Sequence, residues 1–251
     1  NDLKEIKQSI VFVDEGAKFI NTEEFATAIK KSDNYYVLIT RQDLGNLPYS
    51  IHEIYELDTN RIGNRMFCKQ QQIYKSNNIA QNAIISKIVT EDSKTGYEFY
   101  NEYAKTHNIQ CEDGKTNVSK KIVNKNNSQT TLIIVDGAAY GSEMNNTMIL
   151  INSIPGYILF TPESFEWLLL NSNILNEPYI TEVLKAPYNY IESSEFFSWE
   201  KYLTDLLNKA TKESNIMPYN KSNNKSLKIF TTGNNMKRVI ESSDLKYLLE
   251  I

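Results

Sequence analysis

The chain has little of what disulfide scaffolds and histidine or zinc sites are usually built from. Its 251 residues include two cysteines, Cys68 and Cys111, and two histidines, His52 and His107. The cysteines are far apart and form no C-x-x-C pair, so the sequence favours neither a disulfide framework nor a zinc site. So few histidines also argue against a Ser-His-Asp triad.

Long apolar runs and a basic excess are also missing. No run approaches the roughly 18 apolar residues of a membrane span, and the first residues lack signal-peptide character, so we expect a cytoplasmic protein that does not enter a membrane. The net charge is −4, which gives no overall case for nucleic-acid binding. A local case exists at residues 115–125, where Lys115, Lys120 and Lys121 are candidate nucleic-acid contacts. A solvated surface segment explains the same lysines.

The clearest pattern in the first part of the chain is an apolar run that ends in carboxylates. Residues 10–13 are apolar and are followed by Asp14 and Glu15, and a second apolar run at 35–39 ends in Thr40 and Arg41. The segment between them, residues 22–30, has a capping pattern and helical spacing. This order predicts a strand–helix–strand unit with a parallel strand pair.

The polar residues after these two strands suggest a nucleotide site. Parallel strands end at the same edge of a sheet, where α/β proteins bind ligands. In P-loop NTPases an Asp after such a strand serves Mg²⁺. We therefore interpret Asp14 as a nucleotide-site residue, Glu15 as the acid that polarises water, and Thr40 or Arg41 as a phosphate-sensing position. The alternative is that residues 14–16 are only the turn after a strand.

The glycine-rich phosphate loop of those enzymes is absent. No G-x-x-x-x-G-K-[ST] occurs, and residues 114–116 (Gly-Lys-Thr) have only the tail of that motif. We therefore expect this chain not to hydrolyse ATP. ATP would be a cofactor only if an upstream segment supplied the loop, and otherwise the site is vestigial.

Acidic residues follow apolar runs in the second part of the chain as well. Glu91 follows the run at 84–90, Asp136 ends the run at 131–136, and Glu163 lies two residues after the run at 156–161. If these runs are neighbouring parallel strands, the three carboxylates can meet at one edge and hold Mg²⁺. Separate solvated acids at loop starts are the alternative.

The same region resembles a known family. Residues 88–92 (Ile-Val-Thr-Glu-Asp), 114–117 (Gly-Lys-Thr-Asn) and 133–138 (Ile-Ile-Val-Asp-Gly-Ala) resemble, in this order, a Toprim domain. That family chelates Mg²⁺ for phosphodiester chemistry in topoisomerases, primases and overcoming-lysogenization-defect (OLD) nucleases. The resemblance implies that Glu91 is the acid/base and Asp136 the first metal ligand. The second ligand position is taken by Ala138, which cannot bind a cation.

The order of the two parts fits this resemblance. OLD proteins place a Toprim domain directly after an ABC-type ATPase. The chain is also similar to uncharacterised proteins of Gram-positive mobile elements, which share phrases such as Leu-Pro-Tyr-Ser, Asp-Gly-Ala-Ala and Pro-Glu-Ser-Phe-Glu-Trp.

Together these observations predict an α/β protein with mostly parallel sheets flanked by helices. Residues 1–57 would be the carboxyl-terminal part of an ATPase-like βαβ unit, 58–83 a linker, 84–215 a Toprim-like domain and 216–251 a strand–helix extension. One hypothesis is a bacterial mobile-element or phage-conflict protein derived from ATPase and Toprim enzymes, which would act as an Mg²⁺-dependent hydrolase on nucleic acid or a phosphoanhydride. The other is a non-catalytic interaction module with a protein partner. The missing phosphate loop and Ala138 favour the second hypothesis; the retained acids favour the first.

Overall fold

The computed structural model describes residues 3, 5–74, 84–113, 118, 122, 130–190, 195–196 and 198–249. These residues form an α/β structure that contains both parallel and antiparallel strand pairs. The strands are β1 (Ile10–Val13), β2 (Tyr35–Leu38), β3 (Tyr55–Ile62), β4 (Arg65–Gln72), β5 (Lys87–Thr90), β6 (Gln110–Asp113), β7 (Thr131–Ile134) and β8 (Tyr157–Phe160). The helices are α1 (Glu23–Lys30), α2 (Thr95–Thr106), α3 (Gly141–Ser153), α4 (Phe165–Asn171), α5 (Pro178–Lys185), α6 (Trp199–Glu213), α7 (Lys228–Thr231) and α8 (Asn235–Glu241).

The first unit is the predicted strand–helix–strand. Strands β1 and β2 are parallel, and α1 lies between them in sequence. Helix α1 begins after Thr22, whose hydroxyl accepts a hydrogen bond from the Phe25 backbone N–H at 3.2 Å. Phe25 and Val13 are buried in one small apolar cluster, so the helix covers a single face of the strand pair.

A β-hairpin follows where the sequence predicted a linker. Strands β3 and β4 are antiparallel over their whole length and turn at Gly63, which has a φ of +62°. The predicted linker is therefore wrong for residues 58–72, and residues 75–83 lie outside the described part of the chain. Nearly all hairpin residues are exposed. Because neither face is buried, the strands carry no apolar alternation, and their polar composition resembles that of a loop.

The main sheet has four parallel strands in the order β6–β5–β7–β8. Strand β7 is buried at every position, as expected for a central strand with helices on both faces. The predicted parallel sheet is confirmed in this part of the chain. All four strands point the same way, so their carboxyl ends form one edge.

Residues 216–249 pack as part of the sheet's main core. Leu227, Phe230, Val239 and Leu245 are buried in the cluster that also contains α4 and α6 side chains. The predicted strand here is wrong, because Lys228–Thr231 forms α7 and no strand occurs between residues 216 and 249. Leu227 and Phe230 are three residues apart and both buried, a spacing that a helix satisfies and a strand does not.

The first unit touches the main sheet through residues 49–53. The Ile51 backbone N–H donates to the Gly137 carbonyl at 2.9 Å, and the Gly141 N–H donates to the Tyr49 carbonyl at 3.0 Å. Ile51 is fully buried in a cluster with Val135. Within the described residues, no helix has the length and apolarity needed to cross a bilayer.

Candidate functional site

The carboxyl edge of the main sheet brings two predicted site residues together. Glu91 directly follows β5 and Asp136 lies two residues after β7. The Asp136 backbone N–H donates to Glu91 Oε2 at 3.1 Å. This contact follows from the strand order, since β5 and β7 are neighbours whose last residues, Thr90 and Ile134, are in register.

Asp136 is the centre of the site. Its Oδ1 accepts a hydrogen bond from the Phe165 N–H at the start of α4, at 3.1 Å. Its Oδ2 lies 3.8 Å from Lys221 Nζ. Burial raises the pKa of Asp136 well above its usual value; the Lys221 charge opposes this, and the charge of Glu166 adds to it. The carboxyl group is therefore poorly solvated, and Lys221 offsets only part of the cost of ionising it.

Lys221 is surrounded by acids. Its Nζ lies 2.5 Å from Glu200 Oε1 and 3.8 Å from Glu166 Oε1, in addition to its contact with Asp136. Burial lowers its pKa, but the charges of Glu166, Asp136 and Glu200 outweigh this and raise it above the usual value. Lys221 is therefore a permanent cation. We call the group formed by Glu91, Asp136, Glu166, Glu200 and Lys221 the acidic crevice.

Glu166 is the most deeply buried acid of the crevice, with 0% exposure. Its Oε1 accepts a hydrogen bond from the Tyr219 hydroxyl at 2.8 Å, and that hydroxyl also lies 2.7 Å from Thr95 Oγ1. Its Oε2, like the Tyr100 hydroxyl, is a buried polar atom with no hydrogen-bond partner in the described structure. The pKa of Tyr100 is raised by burial and then by the charges of Asp136 and Asp92.

Asp92 belongs to the structure of α2 instead of the crevice. Its Oδ1 accepts from the Lys94 N–H at 2.8 Å and its Oδ2 from the Gly96 N–H at 2.7 Å. A carboxylate at a helix amino terminus satisfies backbone donors that would otherwise be unpaired. Both of its oxygens already serve this purpose.

Glu91 is exposed at the rim of the crevice, but its carboxyl group is turned towards the protein, where it accepts the Asp136 N–H. Its pKa is raised to about 7, chiefly because the surrounding protein removes water from the carboxyl group; the hydrogen bond from Asp136 opposes the rise and the charge of Glu200 adds to it. A carboxyl group with this pKa exchanges protons near neutral pH.

Glu163 faces a different cluster from the one predicted. Its Oε2 accepts from Ser50 Oγ at 3.4 Å, and its Oε1 lies 3.4 Å from His52 Nε2. Burial raises its pKa to about 7, and the charge of Glu53 adds to the rise. These contacts therefore do not bring Glu163 together with Glu91 and Asp136 as the predicted metal trio. Glu163 instead contacts Ser50 and His52, which follow the first unit in the sequence.

The crevice does not fit Mg²⁺ as it stands. Among the described residues, no group of three or more His, Cys, Asp or Glu side chains is arranged to hold a metal ion. Ala138, the position that the sequence resemblance predicted for a second ligand, offers only a buried methyl group. The ammonium of Lys221 lies among the carboxylates, where it repels another cation.

The predicted nucleotide residues lie at the edge of the first unit. Glu15 Oε2 forms an ion pair with Arg41 Nε at 2.7 Å, and both side chains are largely exposed. Asp14 Oδ1 accepts from the Glu15 N–H at 2.8 Å, and the Thr40 hydroxyl donates to the Gln42 carbonyl at 3.1 Å. These are turn contacts and a surface ion pair, which contribute little to stability. Lys115, Lys120 and Lys121 lie outside the described residues.

Sequence reasoning missed three members of the crevice. Glu166 lies in the first turn of α4, Glu200 in the first turn of α6, and Lys221 in a polar segment that reads as a linker. No spacing in the sequence connects them. The nearest indication is that Glu166 follows the strand β8 and a Pro-Glu-Ser turn, at the same edge as Asp136.

Comparison with protein-family models, curated proteins and solved structures gave no match. The functional argument therefore depends on the geometry of the crevice and of the exposed surfaces.

Proposed function

We propose that this chain is a non-catalytic interaction module built on a Toprim-like α/β scaffold. It would act in a bacterial mobile-element or phage-conflict protein derived from nucleic-acid-processing enzymes. One observation carries the proposal: Lys221 lies 3.8 Å from the Asp136 carboxylate, in the region where a Toprim enzyme would need a metal ion.

Electrostatics supports this function. A phosphodiester hydrolase of this type needs a divalent ion to polarise the phosphate and stabilise developing charge. Lys221 neutralises part of the acidic charge without offering an exchangeable coordination site. The lysine is only 22% exposed at its side chain, so its ion pairs are shielded from solvent more than surface pairs are.

The exposed apolar surfaces favour a protein partner. Ile10, Phe12, Tyr35 and Val37 lie on the open face of the β1–β2 pair, and Phe12 is 69% exposed. The hairpin exposes further large apolar side chains, among them Leu57, Ile62, Met66 and Phe67. Contiguous exposed apolar side chains on a folded chain are typical of interaction surfaces.

A cleavage assay tests the proposal. The chain should not cleave single- or double-stranded DNA or RNA with Mg²⁺ or Mn²⁺, and trace activity should be the same in Asp136→Asn, because it would come from a contaminant. Metal-dependent cleavage that Asp136→Asn or Glu91→Gln abolishes would overturn the proposal.

That second outcome would favour the alternative function, an Mg²⁺-dependent hydrolase. The observation in its favour is the contact between Glu91 and the Asp136 backbone, together with the pKa of about 7 at Glu91. A general acid or base works best when its pKa is near the working pH. In this case Glu91 would transfer the proton and Lys221 would have to leave the crevice before metal could bind.

We also propose that the first unit descends from a nucleotide site through Asp14, Glu15, Thr40 and Arg41. The order of these residues after two parallel strands supports the idea. Without a phosphate cradle, ATP with Mg²⁺ should leave the melting temperature of this chain unchanged. A clear rise that Asp14→Asn removes would instead show a working nucleotide site.

A further inference from the structure

We propose that a groove beside α7 is a binding site for an aliphatic monocarboxylate, a small molecule with one carboxylate at the end of an apolar chain. The groove lies where the residues after α6 meet α7 and the start of α8. Its apolar lining residues are Ile216, Met217 and Ile229, and its charged lining residues are Lys225 and Lys228. It shares no residue with the acidic crevice.

The groove is already formed in the folded chain. Its volume is about 780 Å³, within the range of roughly 300–1,000 Å³ that is usual for small-molecule sites. Ile216 and Ile229 pack against the main core, and Leu227 and Phe230 are buried in that core on either side of Lys228. Because core packing fixes these side chains, a ligand does not have to order them when it binds.

Met217 gives the groove an apolar wall that is accessible to a ligand. It is 49% exposed, so an apolar chain that covers it removes further apolar surface from water. Methionine is unbranched and flexible, and it adapts to partners of different shape. This wall therefore suits an aliphatic chain better than a rigid polar molecule.

The charge at the groove is of one sign. No Asp or Glu occurs among the described residues that line it, although the chain as a whole has a net charge of −4. Lys225 and Lys228 are exposed, and neither forms an ion pair within the part of the chain that the structure describes. By contrast, Lys237 on the neighbouring α8 lies 3.7 Å from Glu241. Two unpaired ammonium groups beside an apolar groove favour a ligand that carries an anion.

Polar side chains of the groove are engaged with the backbone of α7. The Thr232 hydroxyl donates to the Lys228 carbonyl, and Asn235 Nδ2 donates to the Ile229 carbonyl at 2.8 Å. A peptide in the groove would bring amide groups that need new partners when they are buried. An aliphatic chain brings no such groups, and its single carboxylate meets the two lysines. The chemistry therefore favours a small carboxylate over a peptide.

NMR titrations of the full chain with octanoate test the proposal. Octanoate should bind with a stoichiometry of one and shift the methyl signals of Met217 and Ile229. Shortening the chain should weaken binding by about fourfold for each methylene removed. 1-Octanol has the same chain without the charge and should bind about tenfold more weakly, because it loses the charge-assisted contacts. Octylammonium should not compete with octanoate.

The variant Lys225→Met/Lys228→Met removes both charges and keeps apolar side chains. Its affinity for octanoate should fall about tenfold, whereas its affinity for 1-octanol should stay the same. Lys225→Arg/Lys228→Arg keeps the charges and should retain octanoate binding. Lys18→Met/Lys201→Met removes the same charge at exposed positions outside the groove and should behave like the parent.

A measurement on the parent chain alone gives the same information without substitutions. Added salt screens charged contacts at exposed sites, so it should weaken the binding of octanoate and leave that of 1-octanol unchanged.

The absence of octanoate binding, or equal affinity for octanoate and 1-octanol, would overturn the proposal. Octanoate binding that Lys225→Met/Lys228→Met leaves unchanged would overturn it too. Shifts confined to the open face of the β1–β2 pair would mean that another apolar surface takes up the chain, which also contradicts the proposal. The cleavage assay tests the acidic crevice, so neither result decides the other.

Discussion

At the scale of single residues, carboxyl groups are kept away from water in two separate places. One is the acidic crevice and the other is the contact of Glu163 with Ser50 and His52. In both places burial raises the carboxyl pKa values. An acid with a raised folded-state pKa holds its proton more tightly when folded, so its stabilising contribution is present at low pH and is lost as the pH rises through the folded pKa.

Glu163→Gln should therefore stabilise the protein above neutral pH. Glu163 titrates at about 7 in the folded chain against a usual value of 4.5. The variant avoids the ionised buried group, so the free energy of unfolding should rise on the order of 2 kcal/mol near about pH 8. The gain should shrink as the pH falls towards about 5, where the parent carboxyl is protonated too.

Urea unfolding at both pH values measures this effect, with the exposed Glu182→Gln as the control that should show no such trend. A variant less stable than the parent near the higher pH would mean that the contact with His52 stabilises the ionised carboxylate. Burial also lowers the pKa of His52. Because His52 is present in the parent and in Glu163→Gln, its own titration does not by itself distinguish the two.

Two buried tyrosines provide a matched pair of substitutions. The Tyr100 hydroxyl has no hydrogen-bond partner among the residues that the structure describes, whereas the Tyr219 hydroxyl donates to Glu166 Oε1. Tyr100→Phe should raise the free energy of unfolding by about 1 kcal/mol, because it removes an unsatisfied polar atom. Tyr219→Phe should lower it by about 1–3 kcal/mol, because it leaves a buried carboxylate without its donor.

Denaturant unfolding of both variants at neutral pH tests this pair. Tyr100→Phe with a stability clearly below that of the parent would indicate that its hydroxyl has a partner. Equal effects of the two substitutions would contradict the assigned roles of both hydroxyl groups.

At the scale of elements, the start of α3 depends on close approach between two chain segments. A Cβ on Gly141 would lie 2.4 Å from Tyr49 Cδ2 and 2.6 Å from the Tyr49 carbonyl oxygen. The same glycine donates its N–H to that carbonyl. Only glycine lets the backbone of the first unit come this close to the helix.

Gly141→Ala should therefore lower the free energy of unfolding by about 1–3 kcal/mol, because the backbone must shift to admit a methyl group. Gly16→Ala is the matched control, since a Cβ there meets nothing within 4 Å. Urea unfolding measures both. If the two variants were equally stable, the contact between the first unit and α3 would not be as close as described.

Two helices beside the main sheet, α4 and α6, begin after serine residues whose hydroxyls cap them. The hydroxyl of Ser164 accepts from the Trp167 N–H at 3.1 Å, and that of Ser198 accepts from the Lys201 N–H at 3.4 Å. Such caps depend on residues three apart and are visible locally. The hairpin was missed because its strands bury no face that would leave a pattern.

At the scale of the whole molecule, the open face of the β1–β2 pair is the most exposed apolar part of the first unit. Phe12 and Val37 are register partners on this face and are 69% and 41% exposed. Parallel strand pairs are usually covered on both faces. The chain should therefore associate with itself when no partner is present.

The double variant Phe12→Lys/Val37→Lys should shift the chain towards the monomer, because it places charge on the associating face. Sedimentation over a range of concentrations measures the change. Thr27→Lys/Ser222→Lys adds the same charge at exposed sites elsewhere and should leave association unaltered. Identical sedimentation of both variants and the parent would show that this face does not drive association.

The sequence by itself determined the strand–helix–strand of the first unit, the parallel strands of the main sheet and the edge of that sheet at which Glu91 and Asp136 lie. These features depend on local patterns: apolar runs ending in polar residues, capping residues and the rule that parallel strands end at one edge. Such patterns predict which edge a side chain reaches. These patterns do not predict which other residues contact that side chain at the edge of the sheet.

Tertiary structure alone decided the chemistry of that edge. Lys221 lies 85 positions after Asp136 in the sequence and reaches it because residues 216–249 fold back against α4 and α6 to bury their apolar side chains. Glu163 contacts His52 because the segment after the first unit packs against the main sheet. Electrostatic attraction depends on the distance between charges in space. Hydrophobic burial brings these residues together without requiring any fixed spacing between them in the sequence, so no sequence pattern reveals the contact.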